Sequence, residues 1–247
     1  MTAPLFFVSA DRLAEASAGS GFVLDGPEGR HGATVRRIGV GERVLLTDGA
    51  GHRADAVVES VGVGELHLRL GGKTFEPQPD SRFVLIQALA KGDRDEQAIE
   101  AATELGVDEV VPWQACRSIV IWRGERAARS LRKWESVVLA AAKQSRRTRV
   151  PAVGGLADRA AVIARVESAA LSLVLHEEAR QPLAGLGLPR TGDVVVIVGP
   201  EGGIAPDEVG ALVAAGAVPV RLGSSVLRSS SAGPAALAVL SAAARWR

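Results

Sequence analysis

The sequence predicts an α/β protein in two parts: a small N-terminal β-barrel, then a larger domain built on a parallel sheet. Three observations carry this. Up to about residue 75, short apolar segments alternate with glycine turns at regular spacing, as in a small barrel. Beyond it, strand-like and helix-like segments alternate, which predicts parallel strands joined by right-handed crossovers. Near the C-terminus two short apolar strands each run into a glycine-centred turn and then a helix. A length of 247 residues accommodates one large domain or two small ones, and 47% apolar residues is enough for real cores.

In the first part, Pro4–Val8 and Phe22–Leu24 read as strands, and His31–Ile38 as one helical insertion. Arg43–Thr47 and Arg53–Ser60 flank Asp48-Gly49-Ala50-Gly51, a good hairpin turn. Glu65–Leu70 alternates as a half-buried strand should. Gly71-Gly72 and the stretch from Phe75 to Asp80 are a linker by composition, which sets the domains at 1–73 and 80–247. After it, Phe83–Leu89, Glu109–Trp113 and Leu171–His176 read as strands, with helices over Asp93–Leu105 and Arg126–Ser145. The last helix, Pro234–Trp246, is apolar almost all round. A helix without a polar face must be covered on two sides, so its own sheet is expected on one and a second subunit on the other.

The two turns indicate a ligand. Val194–Val198 runs into Gly199-Pro200-Glu201-Gly202-Gly203, and Val218–Leu222 into Gly223-Ser224-Ser225-Val226-Leu227-Arg228. In an open parallel sheet, ligands bind in the crevice at the carboxyl ends of the strands. Glycines let the main chain approach a ligand with no Cβ in the way. Pro206 suits the first turn of the next helix, and Asp207 and Glu208 complement its positive end, which argues against a phosphate there. No Gly-Lys-Ser/Thr follows and no G-x-G-x-x-G opens a helix, so neither a P-loop nor a dinucleotide site is indicated. The turns suit a small ligand held by main-chain groups between Val198, Leu222, Val226 and Leu227; an adenine-and-sulfonium cofactor has that character. A lone Gly-Pro-Glu-Gly-Gly is equally compatible with an ordinary strand-to-helix turn.

A net charge of +1 conceals a sharp division. Residues 1–75 hold 8 Lys and Arg against 9 Asp and Glu, whereas residues 114–150 hold 10 against 2. A positive stretch this concentrated is the footprint of a polyanion partner or, more plainly, a solvated helix face. Arg126, Arg129, Arg132 and Lys133 share one helical face, with Leu131, Trp134 and Val138 on another. Lys143, Arg146, Arg147 and Arg149 extend the charge. The two glycine turns lie in an acidic part of the chain, so a polyanion is expected on the basic stretch from Arg117 to Arg149, helped by Arg30, Arg36 and Arg37.

The single cysteine, Cys116, forbids an internal disulfide and suits a reducing compartment. The first residues lack the basic and apolar regions of a signal peptide, and no apolar run approaches the roughly 20 residues of a membrane span. A soluble, cytoplasmic protein with no membrane partner and no metal is expected.

With these residues in view, the chain resembles the SPOUT methyltransferases, and within them the bacterial 16S rRNA (uracil-1498-N3)-methyltransferase family. The likeness rests on Val196–Gly203 with Leu222-Gly223-x-x-Val226-Leu227-Arg228, on Lys91 followed by Thr103–Val107, and on Pro112 and Arg117-Ser118. Ala141–Arg147, His176-Glu177-Glu178 and His31-x-x-x-Val35-Arg36-Arg37 complete it, in order along nearly the whole chain. The resemblance implies a PUA-like barrel, a SPOUT domain with a deep C-terminal trefoil knot, S-adenosylmethionine as cofactor, and a homodimer acting on 16S rRNA in the small ribosomal subunit. It places the cofactor against Leu175, His176 and Glu177, Val198 to Gly203, and Leu222, Gly223, Ser224, Val226 and Leu227. RNA falls to Arg30, Arg36, Arg37, Arg117, Arg129, Arg132, Lys143, Arg146 and Arg147. Two positions depart from the family pattern: Ser225 stands where arginine is usual, and Ser229-Ser230-Ser231-Ala232 where Thr-Glu-Thr-Ala is usual. If the two family charges pair with each other, losing both together leaves no unpaired partner, and no catalytic role is assigned to Ser225 or Ser230.

Methylation of uracil N3 requires loss of a weakly acidic proton, so the site must stabilise negative charge on the flanking carbonyl oxygens. A guanidinium does this without losing a proton itself, and Arg228 is the candidate, its alternative being a structural pairing with Glu201. Glu201 is a candidate base or an anchor for turn amides. His31 and His176 are better read as structural than as bases. Two other functions fit the same residues: methylation of another RNA atom, such as a tRNA ribose 2′-OH, and RNA binding without catalysis.

Overall fold

The computed structural model describes residues 3–246. Two units are distinguished: residues through Gln78 together with Ala142–Val150, and Pro79–Ala141 together with the chain from Pro151.

In the first unit, β1 (Leu5–Phe7), β2 (Gly21–Leu24), β3 (Arg43–Thr47), β4 (His52–Gly62) and β5 (Glu65–Phe75) form one sheet in the order β1-β3-β4-β5-β2. β1 is parallel to β3 and the other pairings are antiparallel. Alternation puts Val44, Leu46, Ala56, Val58, Leu66 and Leu68 into a single core with Phe6, Phe22 and Leu24. Leu13 of a short helix, α1 (Ala10–Glu15), joins it.

Two sequence expectations change here. The insertion expected over His31–Ile38 begins earlier, as α2 (Gly26–Arg30), which has Pro27 in its first turn, and continues as one π-helical turn over His31–Val35. The linker expected from Gly71-Gly72 is strand: β5 runs on to Phe75 and pairs Lys73, Thr74 and Phe75 with Ala54, Arg53 and His52. The two glycines fall at an irregularity between Ala54 and Ala56, where the register shifts, and the ladder resumes on both sides of them, at Leu70 and at Lys73.

Ala142–Val150 belongs with this sheet. Gly51 N–H donates to the Thr148 carbonyl (2.9 Å) and Val150 N–H to the Gly49 carbonyl (2.9 Å). Thr148 Oγ1 bonds the Glu76 carboxylate, and the Arg149 guanidinium lies over the Phe75 ring.

In the second unit, β6 (Ser81–Ala88), β7 (Glu109–Trp113), β8 (Ala152–Val153), β9 (Leu171–Leu175), β10 (Gly192–Val198) and β11 (Val218–Val220) form a fully parallel sheet in the order β11-β9-β10-β6-β7-β8. β6 and β10 are central, and their apolar runs Phe83–Ile86 and Val194–Ile197 are buried on both faces. One face carries α5 (Arg159–Ser168) and α6 (Pro206–Ala214), whose Val162, Val166 and Leu212 pack on Ile86, Val195 and Ile197. α3 (Arg94–Glu104) and α7 (Ser229–Ala244) pack against each other, and α7 rests on β6 and β10.

The last helix therefore differs from expectation twice. It starts at Ser229, five residues before Pro234, which sits inside it. Its approach to the sheet is close at Gly233, where a Cβ would come 2.9 Å from Leu85 Cδ1. And α3 supplies part of the second cover that the sequence reading assigned to another subunit. α4 (Gly124–Gln144) turns Trp134 and Val138 inward and Arg126, Arg129, Arg132 and Lys133 to solvent, as its spacing predicts. Among the described residues no helix is long and apolar enough to cross a membrane.

Candidate functional site

The sheet order brings the predicted cofactor segments together. β9 lies between β10 and β11, with Leu175 in register with Val220 and Val174 with Ile197. Leu175-His176-Glu177, Val198–Gly203 and Leu222–Leu227 thus leave the carboxyl ends of three adjacent parallel strands. His176 joins two of them, since its N–H donates to the Val220 carbonyl (3.0 Å). Its ring Nδ1 accepts the Glu178 N–H (3.3 Å), so it is structurally engaged. His31, the other histidine considered, packs edge-on against Phe6 at 6.3 Å between centroids.

The glycine turn is built by its own backbone. Gly203 N–H donates to the Pro200 carbonyl (2.9 Å), and Gly203 has φ of 71°, a conformation that L side chains rarely adopt. Gly199 is packed: a Cβ there would stand 2.6 Å from Ile204 Cγ1. Behind the turn, the buried Glu208 carboxylate accepts the Ala205 N–H (3.3 Å) and the Cys116 N–H (2.8 Å). Through Ala205, the N-cap of α6, it makes the carboxylate half of a capping box, and through Cys116 it ties the loop after β7 to that helix. The second turn is open: Val226 and Leu227 are exposed, whereas Leu175 and Leu222 are half-buried.

Glu201 is held from the loop after β6. Its Oε1 accepts the Lys91 backbone N–H (3.0 Å) and Arg94 Nη1 (2.9 Å). Burial raises the Glu201 pKa, but its own N–H, that of Lys91 and the Arg94 guanidinium outweigh this and leave it below the ordinary value. An ionised, doubly anchored carboxylate is a poor base and a good fastener. The pairing of Glu201 with Arg228 considered from sequence is thus replaced by Arg94. Arg228 is exposed and, among the described residues, pairs with no carboxylate. On the other flank, Arg117 Nη1 donates to the Gly202 carbonyl (3.0 Å).

The sequence reading missed Arg94 and the fastening role of Glu208. Arg94 lies 107 residues from Glu201, and only the adjacency of β6 and β10 makes them neighbours.

Of the residues expected to meet RNA, Arg30, Arg36, Arg37, Arg129, Arg132 and Arg146 are exposed and, among the described residues, form no ion pair. Lys143 is engaged: its Nζ meets Glu28 Oε2 at 2.6 Å and lies over the Phe6 ring. Arg147 is half-buried, its N–H bonded to the Ala142 carbonyl (2.9 Å). Lys133 pairs with Glu96 (2.6 Å) and Asp93 (3.7 Å).

Comparison with known proteins matches residues 76–241 to the family described as RNA methyltransferase domain and residues 24–71 to the family described as RNA methyltransferase PUA domain. The ribosomal RNA small subunit methyltransferase E of Mycobacterium tuberculosis (strain CDC 1551 / Oshkosh) is 45% identical over 251 residues, covering 100% of this chain and 94% of the relative. The protein of the same name from Bacillus subtilis (strain 168) is 27% identical, covering 89% of each. Among solved structures, the ribosomal RNA small subunit methyltransferase E from Neisseria gonorrhoeae bound to S-adenosyl methionine matches with a TM-score of 0.83 and 26% identity over 98% of each chain.

Proposed function

This chain belongs to the RNA methyltransferase family, and from that premise we propose that it is a ribosomal RNA methyltransferase using S-adenosylmethionine. At the finer level we propose N3 of uracil-1498 in 16S rRNA, within the small ribosomal subunit, as its target. The observation that carries the reading is the convergence of Leu175–Glu177, Val198–Gly203 and Leu222–Leu227 at three adjacent strand ends.

Those residues fit such a cofactor. Main-chain groups of the glycine turn offer donors and acceptors, and Gly223 has no heavy atom within 4 Å of where a Cβ would stand. Half-buried Leu175 and Leu222 give an apolar flank. When bound, the cofactor supplies a methyl group activated by its sulfonium. The chain's work is then to position the base and favour its anion. The exposed Arg228 guanidinium, opening α7, stabilises charge on a uracil carbonyl oxygen as N3 gives up its proton. Glu201 keeps the turn in place through Lys91 N–H and Arg94 rather than taking that proton. Arg129, Arg132 and Arg146, with Arg30, Arg36 and Arg37, serve the RNA backbone, while Lys143 fixes its helix end through Glu28.

The same reading includes a homodimer, cytoplasmic location and, by resemblance, a trefoil knot around these turns. The test is mass spectrometry of nucleosides from small-subunit rRNA of a strain lacking the gene, with and without complementation. Loss and recovery of N3-methyluridine is expected. Loss of a tRNA 2′-O-methyl nucleoside instead would assign the other substrate. Absence of S-adenosylmethionine binding by calorimetry would leave an RNA-binding protein without catalysis.

A further inference from the structure

The loops at the carboxyl ends of the sheet change charge from one side to the other. After β9 come Glu177 and Glu178, both exposed, with Arg180 beyond them. After β10 comes the glycine turn. On its far side, the loop after β6 carries Lys91, with Arg94 opening α3, and the loop after β7 carries Arg117 and Arg123. The sequence places the two glycine turns in an acidic part of the chain and already gives Arg117 to RNA; the strand order sets the basic loops after β6 and β7 directly beside those turns.

These loops are fixed to the turn. Lys91 N–H and Arg94 Nη1 both meet Glu201 Oε1, and Arg117 Nη1 meets the adjoining Gly202 carbonyl. Glu201 neutralises only Arg94. Arg117 spends one donor on a neutral carbonyl, and the exposed Lys91 side chain has no partner among the described residues. The nearby carboxylates are otherwise occupied: Asp93 and Glu96 face Lys133, Asp207 faces Arg159, Glu208 is buried against two N–H groups, and Asp95 is buried. The loop also holds successive left-handed residues, Gly92 at φ 68° and Asp93 at φ 60°. A non-glycine residue there is strained, and strain of this kind is kept where a fixed geometry is useful.

We propose that the loops after β6 and β7 form a phosphate-binding rim for the RNA strand that carries the target nucleotide, with Lys91 as its principal contact and Arg117 beside it. The cofactor then lies on the other side of the glycine turn, toward β9 and β11. The turn divides a crevice whose acidic side suits a cationic methyl donor and whose basic side suits a polyanion. This rests on the methyltransferase reading and adds where the substrate backbone crosses the site.

The test uses the full chain, its Lys91→Gln and Lys91→Arg variants, and a 16S rRNA transcript as probe. Lys91→Gln keeps the backbone N–H that Glu201 needs and removes only the ammonium. Its RNA affinity should fall at low salt, and its log–log salt slope should flatten by about 0.7–0.9, the value of one phosphate contact. Lys91→Arg should restore both, and S-adenosylmethionine affinity by calorimetry should be unchanged. Wild-type RNA affinity and slope in Lys91→Gln would overturn the rim, as would a loss confined to cofactor affinity. Failure of the wild-type chain to bind S-adenosylmethionine would instead strike the methyltransferase reading, because the rim is judged on RNA binding alone.

Discussion

Glu201 Oε1 and Arg94 Nη1 meet at 2.9 Å, joining the glycine turn after β10 to the start of α3. The same oxygen accepts the Lys91 N–H, so one carboxylate sets the turn's position against the neighbouring strand end.

Glu201→Gln and Arg94→Ala should each weaken S-adenosylmethionine binding, and the double variant should be no worse than the poorer single one, since both remove one fastening. Calorimetric titration of the four proteins checks this. The pH dependence follows from the lowered Glu201 pKa: its contribution is present above the ordinary carboxylate value and is lost as pH falls through the folded value. Wild-type cofactor affinity should therefore drop at acid pH more steeply than that of Glu201→Gln. Additive losses in the double variant would show that the two side chains act separately.

Gly203→Leu should abolish cofactor binding in a folded protein. Its φ of 71° would cost an L side chain roughly 1–2 kcal/mol, and the added bulk would stand in the turn. Unchanged affinity in a folded variant, judged by circular dichroism and calorimetry, would place the cofactor elsewhere.

Glu208→Ala should cost about 2–4 kcal/mol of stability, because the Cys116 and Ala205 N–H groups lose a buried acceptor. Glu208→Gln should recover part of it by keeping one carbonyl oxygen. A thermal midpoint within error of wild type for Glu208→Ala would mean that water replaces the carboxylate at no cost.

Arg129→Ala with Arg132→Ala should weaken binding to any RNA and flatten the salt slope by roughly one to two units. Both side chains are exposed and unpaired among the described residues, so stability and cofactor affinity should hold. Wild-type slope and affinity would reduce the helix to a solvated face.

Light scattering at micromolar concentration should report a dimer. α7 keeps Ala235, Ala238 and Val239 only half-buried even with α3 and the sheet against it. A monomer would mean that α3 is cover enough.

Local pattern made much of this chain legible. Glu65–Leu70 alternates, Val194–Val198 is continuously apolar, and the Arg126–Arg132 spacing defines a helical face; each is settled by neighbours within a few residues. Local pattern also misled where composition and pairing disagree. Gly71-Gly72 reads as a break yet lies in β5, because the ladder partner is β4 and not a residue nearby. Pro234 reads as a helix start yet lies inside α7, which begins at Ser229.

By itself the sequence determined most of the longer strands and helices, though not α1, β8 or α5, together with which turns are glycine-built and where positive charge is concentrated, since these depend on short-range periodicity and side-chain type. Only the tertiary structure decided that Arg94 and not Arg228 holds Glu201, that Arg117 meets Gly202, and that Lys91 stands beside the glycine turn. The reason is the strand order. β6 and β10 pair directly although more than a hundred residues separate them, with Gln87 opposite Val198. Hydrogen bonding between strands depends on backbone geometry that every residue shares, so no side-chain pattern announces which strand ends will be neighbours.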